Sequence, residues 1–274
     1  MEINYTKVLS IVYACTKHEF DSGELQKSIR RYISRKSSKS YSFDLFIIID
    51  QGDEDRYASL LDFKSDRNIN KVIIHSLHLS DEENIYFRSK HSLKLFEEAG
   101  EPKLGLSAGP NNLFFGAMNY LADKDYENYL LLETDTRPVK YFWFDELYKY
   151  CVKNDFLIAG SRYKGNAEIP EDAEWKDHLN GVAIYKNCKR LNDLLSGAKS
   201  EIVRRVKEGD HDFFINYDIA IYYHTQSSES NKKEYKSVID TDIITNISLG
   251  ADSSIREQDI LTKYRKTIIL HQKI

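Results

Sequence analysis

Cysteine is scarce in this chain of 274 residues: Cys15, Cys151 and Cys188 are all it has, and they lie far apart. No pair has metal-ligand spacing, and the odd count points to free thiols in a reducing compartment. Long hydrophobic runs are also missing. No stretch approaches the ~20 apolar residues of a membrane span. Met1 to Lys7 carries charges without an apolar core of signal-peptide length. The expectation from these absences is a cytoplasmic protein with no transmembrane segment. A basic excess is lacking too, with 39 Lys and Arg against 43 Asp and Glu and a formal net charge of −4. That argues against a nucleic-acid partner. Repeats, low-complexity blocks and linkers are not evident, so one domain is expected. What remains suffices for a core, since 41% of the residues are hydrophobic and 30% are charged.

Val8 to Ala14 is apolar and β-rich and predicts a first strand. Glu19 to Arg35 has helical composition, with Leu25, Ile29 and Ile33 at four-residue spacing on one face. Phe43 to Asp50 predicts a second buried strand ending in an acid, and Lys71 to His75 a short third. Asn111 to Leu121 reads as a helix, and Asp155 to Ala159 and Gly181 to Tyr185 as further strands. This alternation predicts an α/β fold, a mostly parallel central sheet with helices on both faces. Gly165 to Asp177 reads as a loop and Leu191 to Val206 as a helix. Asp212 to Tyr223 suits either a helix or a strand. Ser227 to Lys236 reads as an exposed, mobile loop, and Lys266 to His271 as a strand.

The segment Tyr129 to Pro138 (YLLLETDTRP) is the most informative. An apolar run ends in two carboxylates, Glu133 and Asp135, one residue apart, with Pro138 closing the turn. In an open α/β sheet the carboxyl ends of strands are where ligands bind. Two carboxylates there make a hard oxygen site for a divalent cation, which can grip a pyrophosphate. The same acids also suit an ordinary polar turn.

Other polar residues fall at strand and helix ends. The first strand ends near Thr16, and the second at Asp50-Gln51-Gly52-Asp53. Asp50 could accept hydrogen bonds from a base or a ribose, or belong to a capped β-to-α turn. Gly105 to Asn112, including Gly109, could cradle an anion through backbone N–H groups. It could equally be a Pro-Asn helix start with Asn111 or Asn112 as cap. His178-Leu179-Asn180-Gly181 precedes an apolar strand. Asn180 offers a donor and an acceptor to sugar hydroxyls, Gly181 admits close backbone approach, and Trp175 could stack on a pyranose. The alternative is a loop entering a strand. Asp212 and Asp218 flank an apolar aromatic segment whose low polarity would raise a carboxylate pKa toward that of a useful base. One of the two is expected to function, with the other capping a helix or facing water. His271 follows an apolar strand as a frayed residue or as a third metal ligand, and Lys273 could then neutralise pyrophosphate oxygens. His75 and His78 have no acids at helical spacing and read as surface residues.

In this order, with Trp143-Phe144-Asp145 behind the acidic turn, the pieces resemble the GT-A superfamily of nucleotide-sugar-dependent glycosyltransferases over most of the chain. Glu133-Thr134-Asp135 stands where that family has D-x-D. The later H-L-N-G looks like transferases that build surface glycans or polysaccharides. The resemblance implies a single GT-A-like domain over 1–274, with a nucleotide-binding half to about residue 138 and a sugar- and acceptor-binding half from about 139. It implies Mn²⁺ or Mg²⁺ held by Asp135, Glu133 and His271. A nucleoside-diphosphate sugar, UDP first, would contact Thr16, Asp50, Gly109, Glu133, Thr134 and Lys273. The sugar would meet Asn180, Gly181, His178 and Trp175, and Asp218 or Asp212 would be catalytic. The sugar would pass to a hydroxyl of a glycan acceptor. This sequence departs from the family in having Glu133 as first acid, and Asp50-Gln51 where many relatives have two acids. Two alternatives are an inactive carbohydrate- or nucleotide-binding protein on the same fold and a nucleotidyltransferase. The latter would normally show a glycine-rich, basic loop where this chain has Ala14 to Asp21 (ACTKHEFD).

Overall fold

A computed structural model of the chain describes residues 4–61, 67–86, 104–164, 176–208, 215–248 and 257–273. The first half contributes β1 (Asn4–Tyr5), β2 (Ser10–Cys15), α1 (Lys17–Asp21), α2 (Glu24–Ser34), β3 (Tyr41–Ile49), α3 (Glu54–Leu60) and β4 (Ile69–Ser76). Then come α4 (Ala108–Ala122), β5 (Asn128–Leu132), β6 (Thr136–Pro138), α5 (Trp143–Lys153), β7 (Ile158–Gly160) and β8 (Ala183–Lys186). The rest is α6 (Lys189–Lys207), α7 (Tyr217–Gln226), α8 (Glu229–Glu234), β9 (Val238–Asp240), β10 (Ile244–Ser248), α9 (Glu257–Lys263) and β11 (Ile269–Lys273).

An eight-stranded sheet runs β1-β3-β2-β5-β8-β7-β9, with β4 also paired to β3. Its pairings are parallel except around β8, which is antiparallel to both β5 and β7. A second, three-stranded sheet runs β10-β11-β6. The expected mostly parallel α/β sheet is therefore present.

The apolar runs work because both sheet faces are covered. Successive side chains of a strand point to opposite faces. Ile11, Tyr13, Leu45, Ile47, Ile49, Leu130 and Leu132 pack with Leu25 and Ile29 of α2 and with Trp143, Phe144 and Leu147 of α5. The alternate residues Val12, Phe46, Ile48, Tyr129 and Leu131 pack with Phe114 of α4, Leu194 of α6 and Ala220 of α7. Each fully buried Leu or Ile contributes ~1.5–3 kcal/mol relative to exposure.

Three expectations need correction. The helix foreseen over Glu19 to Arg35 is two helices, because Gly23 takes a left-handed φ of 80° between α1 and α2. The loop foreseen over Ser227 to Lys236 contains α8, whose N-terminus is capped by Ser228 accepting from the Asn231 N–H at 3.1 Å. Pro138 does not close the acidic turn. Thr136 does: its N–H and hydroxyl donate to the Glu133 carbonyl at 3.1 and 2.6 Å, while Pro138 ends β6 opposite Ile269.

Register aligns the strand ends. Cys15 pairs with Ile49, and Tyr13 with Leu132. Thr16, Asp50 and the Glu133–Asp135 turn thus emerge along one rim of the parallel sheet.

Candidate functional site

Glu133, Thr134 and Asp135 form the turn that leaves β5 and feeds β6. β11 pairs antiparallel with β6, setting His271 opposite Thr136. This brings His271, distant in sequence, to the two acids of the turn. Nε2 of His271 lies 3.1 Å from Asp135 Oδ1 and 3.4 Å from Glu133 Oε2. One ligand atom from each of the three falls within 4.8 Å of the others. His271 is wholly buried, whereas the Glu133 and Asp135 side chains keep 35% and 41% of their exposure, leaving the site open on the carboxylate side. Burial opposes the His271 imidazolium, but contacts with Asp135 and then Glu133 outweigh it and raise its pKa to about 9. Asp135 Oδ1 and both ring nitrogens of His271 are buried and complete no hydrogen bond among the described residues.

These features fit a divalent cation. Ligands at right angles on an octahedral ion with ~2.1 Å bonds sit about 3.0 Å apart, close to the His271–Asp135 separation. Two carboxylates and one imidazole form a mixed oxygen and nitrogen donor set of the kind that binds divalent transition-metal ions. The orphaned oxygen and nitrogen are the atoms such an ion would satisfy.

The middle residue of the turn is also anchored. Thr134 Oγ1 donates to Glu19 Oε1 at 2.7 Å. The other oxygen of Glu19 accepts from the Thr16 N–H at 2.8 Å, and Thr16 Oγ1 accepts from the Glu19 N–H at 3.1 Å. Thr16 is thus the N-cap of α1, and Glu19 completes its capping box. Sequence reasoning passed over Glu19. The T-x-x-E spacing of Thr16 and Glu19 was the signal that could have found it.

Asp50 is buried at the end of β3. It accepts from the N–H groups of Lys17 and Gln51, both at 2.7 Å, and from Asn84 Nδ2 at 2.9 Å. Its carboxylate ties the ends of β2 and β3 to the Asn84 segment. Gly109 differs from the anion cradle foreseen. It lies in the first turn of α4, and its N–H donates to the Ile85 carbonyl at 2.8 Å. An added Cβ there would stand 2.4 Å from the Tyr86 ring, so Gly109 serves close packing. Asn111 and Asn112 are not caps either. Asn111 donates to the Leu104 and Ile215 carbonyls, and Asn112 to the Glu83 carbonyl. Lys273 is paired in register with Ser248, two residues along β11 from His271.

A second group lies before β8. Asn180 is buried. Its Oδ1 accepts from the Val182 N–H at 3.0 Å, its Nδ2 reaches Tyr163 Oη at 3.4 Å, and its N–H donates to the Ser161 carbonyl. Gly181 admits a close approach, but by Tyr217: an added Cβ would lie 1.8 Å from Tyr217 Oη. Tyr217 stacks on Phe114 at 3.7 Å. Burial drives the Tyr217 phenol well above its usual pKa, and the charges of Tyr185, Glu133 and Asp218 add to that. His178 is buried, with Nε2 3.6 Å from Asp218 Oδ2. Asp218 stands in the first turn of α7, its side chain only 13% exposed. Asn180 and Asp218 both line a cavity of about 140 Å³ that also takes in Arg162, Asp177, Tyr222 and Lys232. Trp175 and Asp212 lie outside the described residues. His75 stacks on Tyr120 at 3.9 Å and pairs with Glu54 at 3.1 Å. No described helix is long and apolar enough to cross a membrane.

No protein-family model and no curated protein matches this sequence. Solved structures match in fold. The galactosyltransferase LgtC, in a crystal structure with donor and acceptor sugar analogues, has a TM-score of 0.55 at 14% identity, covering 96% of this chain and 86% of that one. The WbbM bifunctional glycosyltransferase in its apo form has a TM-score of 0.52 at 10% identity, covering 99% of this chain and 46% of that one. With the mostly parallel sheet, its one described reversed strand β8 and the acidic turn at the rim, these likenesses show that the chain has the GT-A glycosyltransferase fold.

Proposed function

We propose that the protein is a metal-dependent glycosyltransferase that moves a sugar from a nucleoside diphosphate, UDP first, to a hydroxyl of a carbohydrate acceptor in surface glycan or polysaccharide synthesis. The observation that carries this reading is the convergence of Glu133, Asp135 and His271 within 4.8 Å at the sheet rim. The donor and acceptor analogues bound by LgtC, a protein of the same fold, support the substrate class.

Mn²⁺ or Mg²⁺ bound at this rim would supply positive charge against the departing diphosphate. Glu133, Asp135 and His271 hold the ion, and Lys273 adds charge on the pyrophosphate side. Thr134 keeps the turn in place through Glu19. Thr16 and Asp50 border the nucleoside, and Asp50 does so with its carboxylate already fixed by Lys17, Gln51 and Asn84. Asn180, Gly181, His178 and Trp175 form the sugar side. Asp218 takes the proton of the acceptor hydroxyl, in the cavity that it lines together with Asn180. Asp212 is the second candidate for a carboxylate beside the sugar.

Thermal unfolding with UDP, GDP and CMP, with and without Mn²⁺, tests the proposal. A ligand at ~100 times its Kd adds about 2.7 kcal/mol of stability, a rise of roughly 5–10 °C for a chain of this size. A Mn²⁺-dependent rise with one nucleoside diphosphate, followed by hydrolysis of its sugar conjugate, is the expected result. A rise without sugar hydrolysis or transfer would favour the inactive binding protein. No rise with any nucleotide would overturn the proposal.

A further inference from the structure

β10 lies beside β11, on the side away from the acidic turn. The register pairs Asn246 with His271, and His271 with Thr136. A bridge pairs Asn246 with Tyr163 on its other side. Residues opposite one another on neighbouring strands share a face. Tyr163, Asn246, His271 and Thr136 therefore make one row across the strands. Tyr163 Oη receives Asn180 Nδ2 at 3.4 Å, so the row joins the Asn180 group to the His271 group.

Asn246 is wholly buried. Its backbone is satisfied: its N–H donates to Ser161 Oγ at 3.3 Å, and its carbonyl accepts from the Lys164 N–H at 2.8 Å. Its side chain is not. Neither Oδ1 nor Nδ2 has a hydrogen-bond partner among the described residues, and neither does Nδ1 of its strand neighbour His271. Register neighbours on adjacent strands have backbones ~4.8 Å apart, within side-chain hydrogen-bonding range. A buried amide left unpaired carries a desolvation cost that a well-packed apolar side chain would avoid. An asparagine here, rather than a leucine, calls for a polar task.

We propose that Asn246 is a positioning residue for the metal centre: its Oδ1 accepts the Nδ1–H of His271 and fixes the ring so that Nε2 faces the ion held with Asp135 and Glu133. The inference rests on the metal reading above. An imidazole that binds a metal through one nitrogen carries its proton on the other and needs an acceptor for it. Nδ1 completes no hydrogen bond among the described residues, and Asn246 offers an acceptor on the same face.

The experiment compares Asn246→Leu, Asn246→Asp and the natural chain, reading Mn²⁺ affinity from the free-ion EPR signal and thermal stability in EDTA. Leucine removes the acceptor at similar volume. It is expected to weaken Mn²⁺ binding about 10–100-fold, the range for lost outer partners of metal-ligating histidines. In EDTA it should melt no lower than the natural chain, because it removes an unpaired buried amide. Aspartate keeps the acceptor and should bind Mn²⁺ at least as tightly as the natural chain. Equal Mn²⁺ affinity in the leucine variant would overturn the proposal. So would equal losses of affinity in both variants with a lower melting point in EDTA, which would make Asn246 structural only. If Asn246→Leu does not fold, Asn246→Asp decides: a loss of Mn²⁺ affinity in that variant overturns the proposal. A natural chain that binds no Mn²⁺ would instead refute the metal reading itself, and the positioning role with it.

Discussion

Thr134 Oγ1 donates a 2.7 Å hydrogen bond to Glu19 Oε1, joining the acidic turn after β5 to the capped first turn of α1. Glu133 and Asp135 flank Thr134, so this bond helps fix the direction of both carboxylates. Thr134→Val removes the hydroxyl at nearly constant shape. Hydrogen bonds to charged groups contribute ~1.5–3 kcal/mol, and Glu19 keeps its Thr16 contacts, so the lower end of that range is expected. The melting point should fall by a few degrees and Mn²⁺ affinity should weaken, while Thr134→Ser should preserve both. Calorimetry and Mn²⁺ titration of the two variants would check this, and equal Mn²⁺ affinities would show that the anchor does not bear on the site.

Asp135→Asn is the sharpest test of the ion site. The change keeps size and removes the charge that faces His271 Nε2 at 3.1 Å. Loss of a direct ligand should exceed the ~10–100-fold cost of losing an outer partner. Mn²⁺-dependent stabilisation by a nucleoside diphosphate should disappear. Asp135 keeps 41% of its side-chain exposure, so the metal-free protein should stay folded with a melting point within a few degrees of the natural chain. Unchanged nucleotide-dependent stabilisation would remove Asp135 from the site.

The parts of this arrangement that were legible in the sequence share a cause. The strands ending near Thr16, Asp50 and Glu133 are buried on both faces, and continuous apolar runs such as LFIII have little other use in a chain of this charge content. The acids stand out because they end those runs. Gly23 was hidden because a helical face at Leu25, Ile29 and Ile33 continues the pattern while a left-handed glycine quietly ends the preceding helix. Asn246 and Tyr217 gave no signal because their roles depend on pairing with His271 and on the space beside Gly181, both of which are long-range. Gly109 misled because a glycine before a helix has two uses, and only the Tyr86 ring against it decides for packing.

Gly181 tests that long-range packing. An added Cβ would meet Tyr217 Oη at 1.8 Å, and the stacked contact with Phe114 at 3.7 Å prevents the ring from moving aside cheaply. Overpacking of this kind costs ~1–3 kcal/mol or more. Gly181→Ala should therefore lower the melting point by several degrees. Placed in a Tyr217→Ala background, the same change should cost little, because its clashing partner is gone. A double-mutant cycle measures the coupling; additive losses would mean that the Tyr217 hydroxyl does not restrict residue 181.

His271 links the site to pH. Its ordinary pKa is about 6.5, and in the fold it is raised to about 9: burial opposes the charge, but Asp135 and Glu133 more than offset it. A raised pKa means the protonated ring contributes stability in full below pH ~6.5, and that contribution fades as pH rises through about 9. The metal-free protein should therefore lose melting temperature between pH 7 and 10 relative to a His271→Gln variant, in which this titration is absent. Mn²⁺ acts oppositely, because it binds the neutral ring and must displace the proton. At pH 7.5 the metal-free ring is almost fully protonated, so binding should release about one proton; an unshifted histidine would release only ~0.1. Apparent Mn²⁺ affinity should accordingly climb by nearly tenfold per pH unit up to about 9 and then level off. Calorimetric titration in buffers of different ionisation enthalpy gives the proton count directly. A count near zero at pH 7.5, with tight Mn²⁺ binding retained, would take His271 out of the ligand set and leave the ion to the two carboxylates.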